Sequence, residues 1–256
     1  FDGTPGALSA TTLTGLGMGG SIVYGTVETL NLSLGIGDDD LTILSTAAGT
    51  VTNVGAESGD DLITVRSTGG ITNLFTGEGA DTITVTGTGL GGLDAIDGNL
   101  FIRDEAGDPL GDVLNITDAT LADKTGMLTA QRLTGMGMGA FIDYLGFERL
   151  NLTLGGGDDS LNVASTMAAE RVIDAAGGAD RVKIETLAGT AVVKGGASDD
   201  VITLFDGDGD AAALDATLEI DVGGGNIGDQ VILNLGRHTG LTITVTDSNP
   251  LEGVAN

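Results

Sequence analysis

No cysteine and no tryptophan occur in the 256 residues, proline appears three times, and lysine plus arginine number ten against 37 aspartates and glutamates. Each shortage excludes something. Without cysteine there is neither a disulfide framework nor a thiolate metal site. A net charge of −27 leaves no basic patch for nucleic acid and disfavours an anionic membrane surface. No apolar run approaches the ~20 residues that span a bilayer, so membrane insertion is not expected. No signal peptide is visible, and the first residue is Phe1 rather than methionine. The chain therefore reads as a processed product or a piece of something longer.

Glycine is what the sequence has most conspicuously, at 45 residues, with aspartate, threonine, valine, isoleucine and leucine filling much of the rest. Glycine and aspartate are poor helix residues, so extended chain broken by turns is expected. At 41% hydrophobic the chain has enough apolar surface to pack. Its negative charge repels itself unless cations neutralise it.

Self-comparison resolves the chain into two copies. Gly6 to Thr46 aligns without gaps on Gly126 to Thr166, an offset of 120, and 11 of 17 positions from Leu30 to Thr46 are identical. Later the offset slips: GEGADTITV (77–85) matches GASDDVITL (196–204), and GDVLNI (111–116) matches GDQVIL (228–233). The implied organisation is a first repeat over 1–125, a second over 126–238, and the start of a third, or a connecting strand, over 239–256.

A shorter beat runs inside each copy. Asp39, Asp61 and Asp81 each stand two before one apolar residue and four before another, at spacings of 22 and 20. Asp159, Asp180 and Asp200 repeat this at 21 and 20, and degraded members follow at Asp112 and Asp229. Small-residue turns such as STAAGT (45–50) and STGG (67–70) lie opposite. Strand, acidic glycine turn, strand, Ser/Thr/Gly turn is one coil of a solenoid. The expected fold is all-β, a right-handed parallel β-solenoid with coils of about 20 residues and one acidic Gly-Asp edge.

The turn reads G-x-G-x-D-x-Φ, Φ being apolar: Gly35, Gly37, Asp39, Leu41; Gly77, Gly79, Asp81, Ile83; Gly155, Gly157, Asp159, Leu161. Here the sequence resembles the RTX (repeats-in-toxin) nonapeptide family, whose parallel β-roll holds calcium between stacked turns. The resemblance implies that Asp39, Asp61, Asp81, Asp159, Asp180 and Asp200 occupy the carboxylate-ligand position. Backbone carbonyls around Gly35, Gly37, Gly77, Gly79, Gly155 and Gly157 would complete the set. The coils here are longer and carry one such turn each, and Glu57, Ala176 and Ser198 replace glycines. A calcium ladder along one edge is what the resemblance supports.

Simple electrostatics points the same way. Stacked aspartates at roughly 5 Å would repel by about 3 kcal/mol per pair at an effective dielectric near 20. Calcium between coils reverses that sign, and its six to eight oxygen ligands suit carboxylates and turn carbonyls. The alternative is a solvated acidic edge that discourages sideways aggregation.

Other motifs are weaker. GLGMGG (15–20) and GMGMGA (135–140) fit a dinucleotide fingerprint, but SIVYGTVETLNL reads as strand where that motif needs a helix, so a turn between coils is expected. FDGDGDAAA (205–213) offers Asp206, Asp208 and Asp210 for a local calcium turn, without the acid an EF-hand needs twelfth, since Thr217 stands there. His238 is the single histidine and suggests no catalytic site. Asn31, Asn115 and Asn151 begin glycosylation sequons, which ordinary polar strand positions also explain.

The function expected is a calcium-stabilised structural module of a secreted or cell-surface bacterial protein, not an enzyme. Without recognisable caps, solenoid ends stack on further repeats of the same chain or head to tail on another copy. An adhesin spacer or carbohydrate-binding module, with surface glycans as partner, is one alternative. A secretion or folding segment of a secreted hydrolase is the other.

Overall fold

The computed structural model describes residues 4–87, 89–104, 111–166, 170–205, 216–224, 228–234 and 241–247. Strand accounts for 52% of the chain and helix for 2%. Among the described residues, no helix is long and apolar enough to cross a membrane. The strands lie in mostly parallel sheets, the arrangement of a β-solenoid.

The first eleven strands are β1 (Gly6–Leu8), β2 (Thr12–Gly15), β3 (Ser21–Val23), β4 (Thr29–Ser33), β5 (Asp40–Ile43), β6 (Val51–Gly55), β7 (Leu62–Val65), β8 (Thr72–Phe75), β9 (Thr82–Val85), β10 (Leu100–Arg103) and β11 (Val113–Thr117). There follow β12 (Thr125–Leu128), β13 (Arg132–Gly135), β14 (Phe141–Leu145), β15 (Arg149–Thr153), β16 (Ser160–Val163), β17 (Glu170–Asp174), β18 (Arg181–Ile184), β19 (Gly189–Lys194), β20 (Val201–Phe205), β21 (Ala216–Asp221), β22 (Gln230–Asn234) and β23 (Thr242–Thr246). The chain packs as two compact units, Phe1–Asp118 with Arg132–Leu150, and Ala119–Gln131 with Asn151–Asn256.

In the first unit, β11, β9, β7, β5 and β1 lie side by side in one sheet, while β14, β10, β8, β6 and β4 form the other. Parallel pairing puts like on like. Leu41, Ile63, Ile83 and Leu114 form one inward column, and Ile43, Val65, Val85 and Ile116 the next. All eight are fully buried. Fully burying such a side chain contributes about 1.5–3 kcal/mol, so the columns are the main favourable term of the unit. Outward positions between them carry Thr42, Thr64 and Thr84 in register, as the two-residue alternation of a strand demands. On the other sheet the outward amides of Asn31, Asn53 and Asn73 chain together at 2.7 Å.

The second unit repeats the scheme. Leu161, Val182 and Ile202 stack in one sheet, and Ile173, Val193 and Ile220 in the other. One position breaks the apolar pattern: Arg171 points inward beside Ala191 and Leu218 and is 1% exposed. Its Nη1 donates to the Glu170 carbonyl at 2.8 Å.

The winding is not purely parallel. β1, β2 and β3 form an antiparallel meander, and β13 and β14 pair antiparallel too. The expected turn between coils at GLGMGG is instead the hairpin turn joining β2 to β3, with Met18 N–H on the Gly15 carbonyl at 3.0 Å. Strand, not helix, follows it. Leu16, at φ 50°, holds its side chain 1% exposed beneath this turn, and Met136 does the same in the second copy at 0%. A buried apolar plug explains why a non-glycine residue accepts left-handed backbone there.

Candidate functional site: the aspartate edge

The acidic turns follow directly from stacking. Gly35, Gly37, Gly77, Gly79 and Gly155 all have positive φ. Gly79 shows why: φ is 136°, and a Cβ there would lie 2.0 Å from the Gly59 carbonyl oxygen of the adjacent coil. Gly157 is required by closeness alone, since its Cβ would stand 2.4 Å from the Ala122 carbonyl carbon. Glu57, Ala176 and Ser198 keep the left-handed backbone that glycine would adopt, at φ 81°, 69° and 91°. The substitutions therefore preserve the turn.

Each turn delivers its final aspartate into the interior. Asp39, Asp61, Asp81, Asp112, Asp159, Asp180 and Asp200 are all 2% exposed or less. In the first unit, Asp39 N–H donates to Asp61 Oδ1 at 2.7 Å, Asp61 N–H to Asp81 Oδ1 at 2.8 Å, and Asp81 N–H to Asp112 Oδ1 at 2.8 Å. Glu148 ends the series by accepting the Asp112 N–H through Oε2 at 2.8 Å. In the second unit, Lys124 N–H donates to Asp159 Oδ1, Asp159 to Asp180, Asp180 to Asp200 and Asp200 to Asp229, at 2.7 to 2.9 Å. The residues picked out by sequence are thus brought together in two ladders, and the degraded members Asp112 and Asp229 belong to them.

A second ladder runs the opposite way on the exposed side. Asp60 N–H donates to Asp38 Oδ1 and Ala80 N–H to Asp60 Oδ1, both at 2.9 Å. Asp158 N–H donates to Asp123 Oδ1 at 3.0 Å, and Ala179 N–H to Asp158 Oδ1 at 2.8 Å. Sequence reasoning passed over Asp38, Asp60, Asp123 and Asp158. For Asp38, Asp60 and Asp158 the signal was the Asp-Asp doublet at 38–39, 60–61 and 158–159; Asp123 stands before Lys124 and carried none. One aspartate of a doublet binds the coil on one side and its neighbour binds the coil on the other. Carboxylates are adjacent because each takes a backbone N–H that stacking leaves without a strand partner.

In four members the ladder bond engages Oδ1 alone. Oδ2 of Asp61, Asp112, Asp180 and Asp200 is buried with no hydrogen-bond donor. Burial pushes the carboxyls of Asp61, Asp112 and Asp180 up from 3.8 to about 7, and Asp200 to about 6. The N–H received from the adjacent coil acts against this, and neighbouring aspartates add to it. Such a row can hold protons, or it can hold a cation.

The donor chemistry fits calcium. Its ligands are oxygens, and an orphaned buried carboxylate oxygen is what a cation between coils would satisfy. Asp61, Asp112, Asp180 and Asp200 would hold it. Among the described residues no three acidic side chains converge on one point, so turn carbonyls would complete the shell. The Gly35 and Gly155 carbonyls already accept the Ser58 and Gly177 N–H groups at 3.3 and 3.0 Å, and each keeps a second lone pair. Asp206 and Asp208 lie outside the described residues.

No protein-family model matches the chain, and comparison with curated proteins and with solved structures gives no match.

Proposed function

We propose that the chain is a calcium-stabilised structural module of an extracellular bacterial surface protein, one that assembles end to end. The observation that supports this is the set of orphaned oxygens on Asp61, Asp112, Asp180 and Asp200. Left ionised and bare, they oppose folding, because burying an unpaired carboxylate is costly. A cation between coils turns the same edge into a series of clamps. Binding free energy then becomes folding free energy, so secretion into calcium-rich surroundings completes the fold. The chain carries no enzymatic activity on this reading, since every acid of the turn edge recurs for a structural reason.

The test is far-UV circular dichroism through a calcium titration of EGTA-stripped protein, with magnesium as control. Calcium-dependent gain of β-structure or of melting temperature is expected, with magnesium far weaker. Stripped protein that is fully folded, with a melting temperature unmoved by calcium, would mean that protons alone neutralise the edge.

A further inference from the structure

Three of the chain's six phenylalanines, Phe75, Phe101 and Phe141, point outward from neighbouring strands β8, β10 and β14 of the first unit. Phe101 stands between Asn73 on one side and Asp143 on the other. The rings of Phe101 and Phe141 meet edge to face, 5.5 Å apart at 87°. Arg132 lies 4.0 Å over Phe141 and binds both oxygens of Asp143, and Arg103 lies 5.7 Å from the Phe101 ring. All three rings are half-buried. The inward columns of this unit are already filled by leucine, isoleucine and valine, so packing the core does not call for rings outside. A cluster of large apolar side chains on an outer face marks a contact surface.

The amide chain continues this row. Asn53 gives one N–H to Asn31 and accepts one from Asn73, both at 2.7 Å. That fixes its amide plane while leaving it a second N–H and a second lone pair. At the turn end of the same face lies a recess of about 350 Å³, floored by Gly70 and Gly98 and flanked by Val51, Ile71, Asp97 and Asn99. Its size falls at the lower end of the range for ligand sites, and the Asp97 side chain at its rim is exposed. Charge is the third element. On the outward positions of β6, β8, β10, β13 and β14 the charged residues are Arg103, Arg132 and Asp143, two cations against one anion. The whole chain carries −27. Its field repels a polyanion everywhere and draws a polycation to the acidic edge, so a nearly uncharged face suits a neutral partner.

We propose that the outer face of β6, β8, β10 and β14, with the recess at its turn end, binds a neutral polysaccharide. A sugar ring has apolar C–H faces and a rim of hydroxyls, and this surface offers a counterpart to each. Phe75 and Phe101 take the C–H faces, and the amides of Asn53 and Asn73 bond the hydroxyls beside them. In the recess, Asp97 accepts from hydroxyls, and Asn99 both accepts and donates. Amides already held by their neighbours lose little freedom when a ligand arrives, which favours affinity. The site uses none of the turn aspartates, so it stands apart from the calcium edge proposed above.

Affinity electrophoresis of the full chain in calcium provides the test, through gels containing xyloglucan, mixed-linkage β-glucan or galactomannan, with polygalacturonate as the anionic control. At least one neutral glycan is expected to retard the chain, and polygalacturonate is not. Phe101→Ala should weaken binding at least about tenfold, the loss typical of a central aromatic contact. Asp97→Ala, at an exposed side chain, should weaken it about two- to tenfold with the melting temperature unmoved. Thr64→Ala, on the outer face of the opposite sheet, should bind as the wild type does. No retardation by any of the three neutral glycans, equal retardation by polygalacturonate, or Phe101→Ala and Asp97→Ala that bind as the wild type does overturns the proposal. So does side-by-side self-association that Phe101→Ala abolishes in sedimentation velocity, which would give this face to a second copy of the chain. Melting with and without calcium reports the acidic edge separately. A chain that folds without calcium yet is retarded removes the calcium reading and leaves this one.

Discussion

The backbone N–H of Asp39 donates to Oδ1 of Asp61 at 2.7 Å, inside the protein rather than at its surface. The Asp61 carboxyl therefore does two separable things: one oxygen ties two coils together, and the other is buried without a hydrogen-bond donor, where it takes a proton or a cation.

Two substitutions at this residue should part those roles. Asp61→Ala removes the acceptor and leaves the Asp39 N–H buried and unpaired, a loss of about 1–3 kcal/mol in urea unfolding. Asp61→Asn keeps an oxygen for that N–H and carries no charge. In EGTA at neutral pH it should be at least as stable as the wild type, with a smaller calcium response. Equal destabilisation by both changes would show that the charge itself holds the coils.

Stability without calcium should fall as pH rises. Asp61, Asp112 and Asp180 titrate near 7 when folded and Asp200 near 6, against 3.8 for the free group. The folded chain thus binds more protons than the unfolded chain between those values, and unfolding free energy declines with pH across that window. The contribution is fully present below about pH 4 and lost above about pH 7. Melting temperatures in EGTA-containing buffers should show this slope, and saturating calcium should flatten it. A melting temperature that rises between pH 5 and 7 in EGTA would contradict the buried-carboxyl picture.

The outer ladder should matter less. Asp38→Ala removes the acceptor for the Asp60 N–H, but that bond lies on the exposed side, where water replaces it. A cost of about 0.5–1 kcal/mol is expected in the same unfolding experiment, well below that of Asp61→Ala.

Gly79→Ala should be among the most damaging single-methyl changes in the chain. Its φ of 136° and the 2.0 Å approach of the Gly59 carbonyl leave no room for a Cβ. A loss of more than about 2 kcal/mol follows from strain and clash together. Glu57→Gly, at φ 81°, should be neutral or stabilising by up to about 1 kcal/mol, offset by the lost bond from Ser33 Oγ to Glu57 Oε1.

Much of the fold was legible because solenoid stacking repeats the same demands at a fixed interval. Leu41, Ile63 and Ile83 recur beside Asp39, Asp61 and Asp81, and that spacing announces both column and turn. Inwardness of the aspartates was not legible, because a carboxylate that accepts a backbone N–H has the same spacing as one that binds metal from outside. The antiparallel hairpins were also missed: GLGMGG carries turn chemistry, but its flanking strands are four and three residues long, too short to display an alternation. Arg171 stands where the strand pattern wants an apolar residue, and its register partner on the adjacent strand is the small Ala191. That is a pairing between coils, invisible along the chain.

The two aspartate ladders point in opposite directions, so the coils of Asp60–Asp61 and Asp158–Asp159 each give one N–H to the coil on either side and take one back. A joint made this way makes the same demand wherever an aspartate doublet recurs. A gene that gains or loses a whole coil leaves all remaining joints as they were, while a change of two or three residues within a turn breaks two of them. Length in such a chain can vary by whole coils, which makes it a measure that recombination can reset without redesigning the parts.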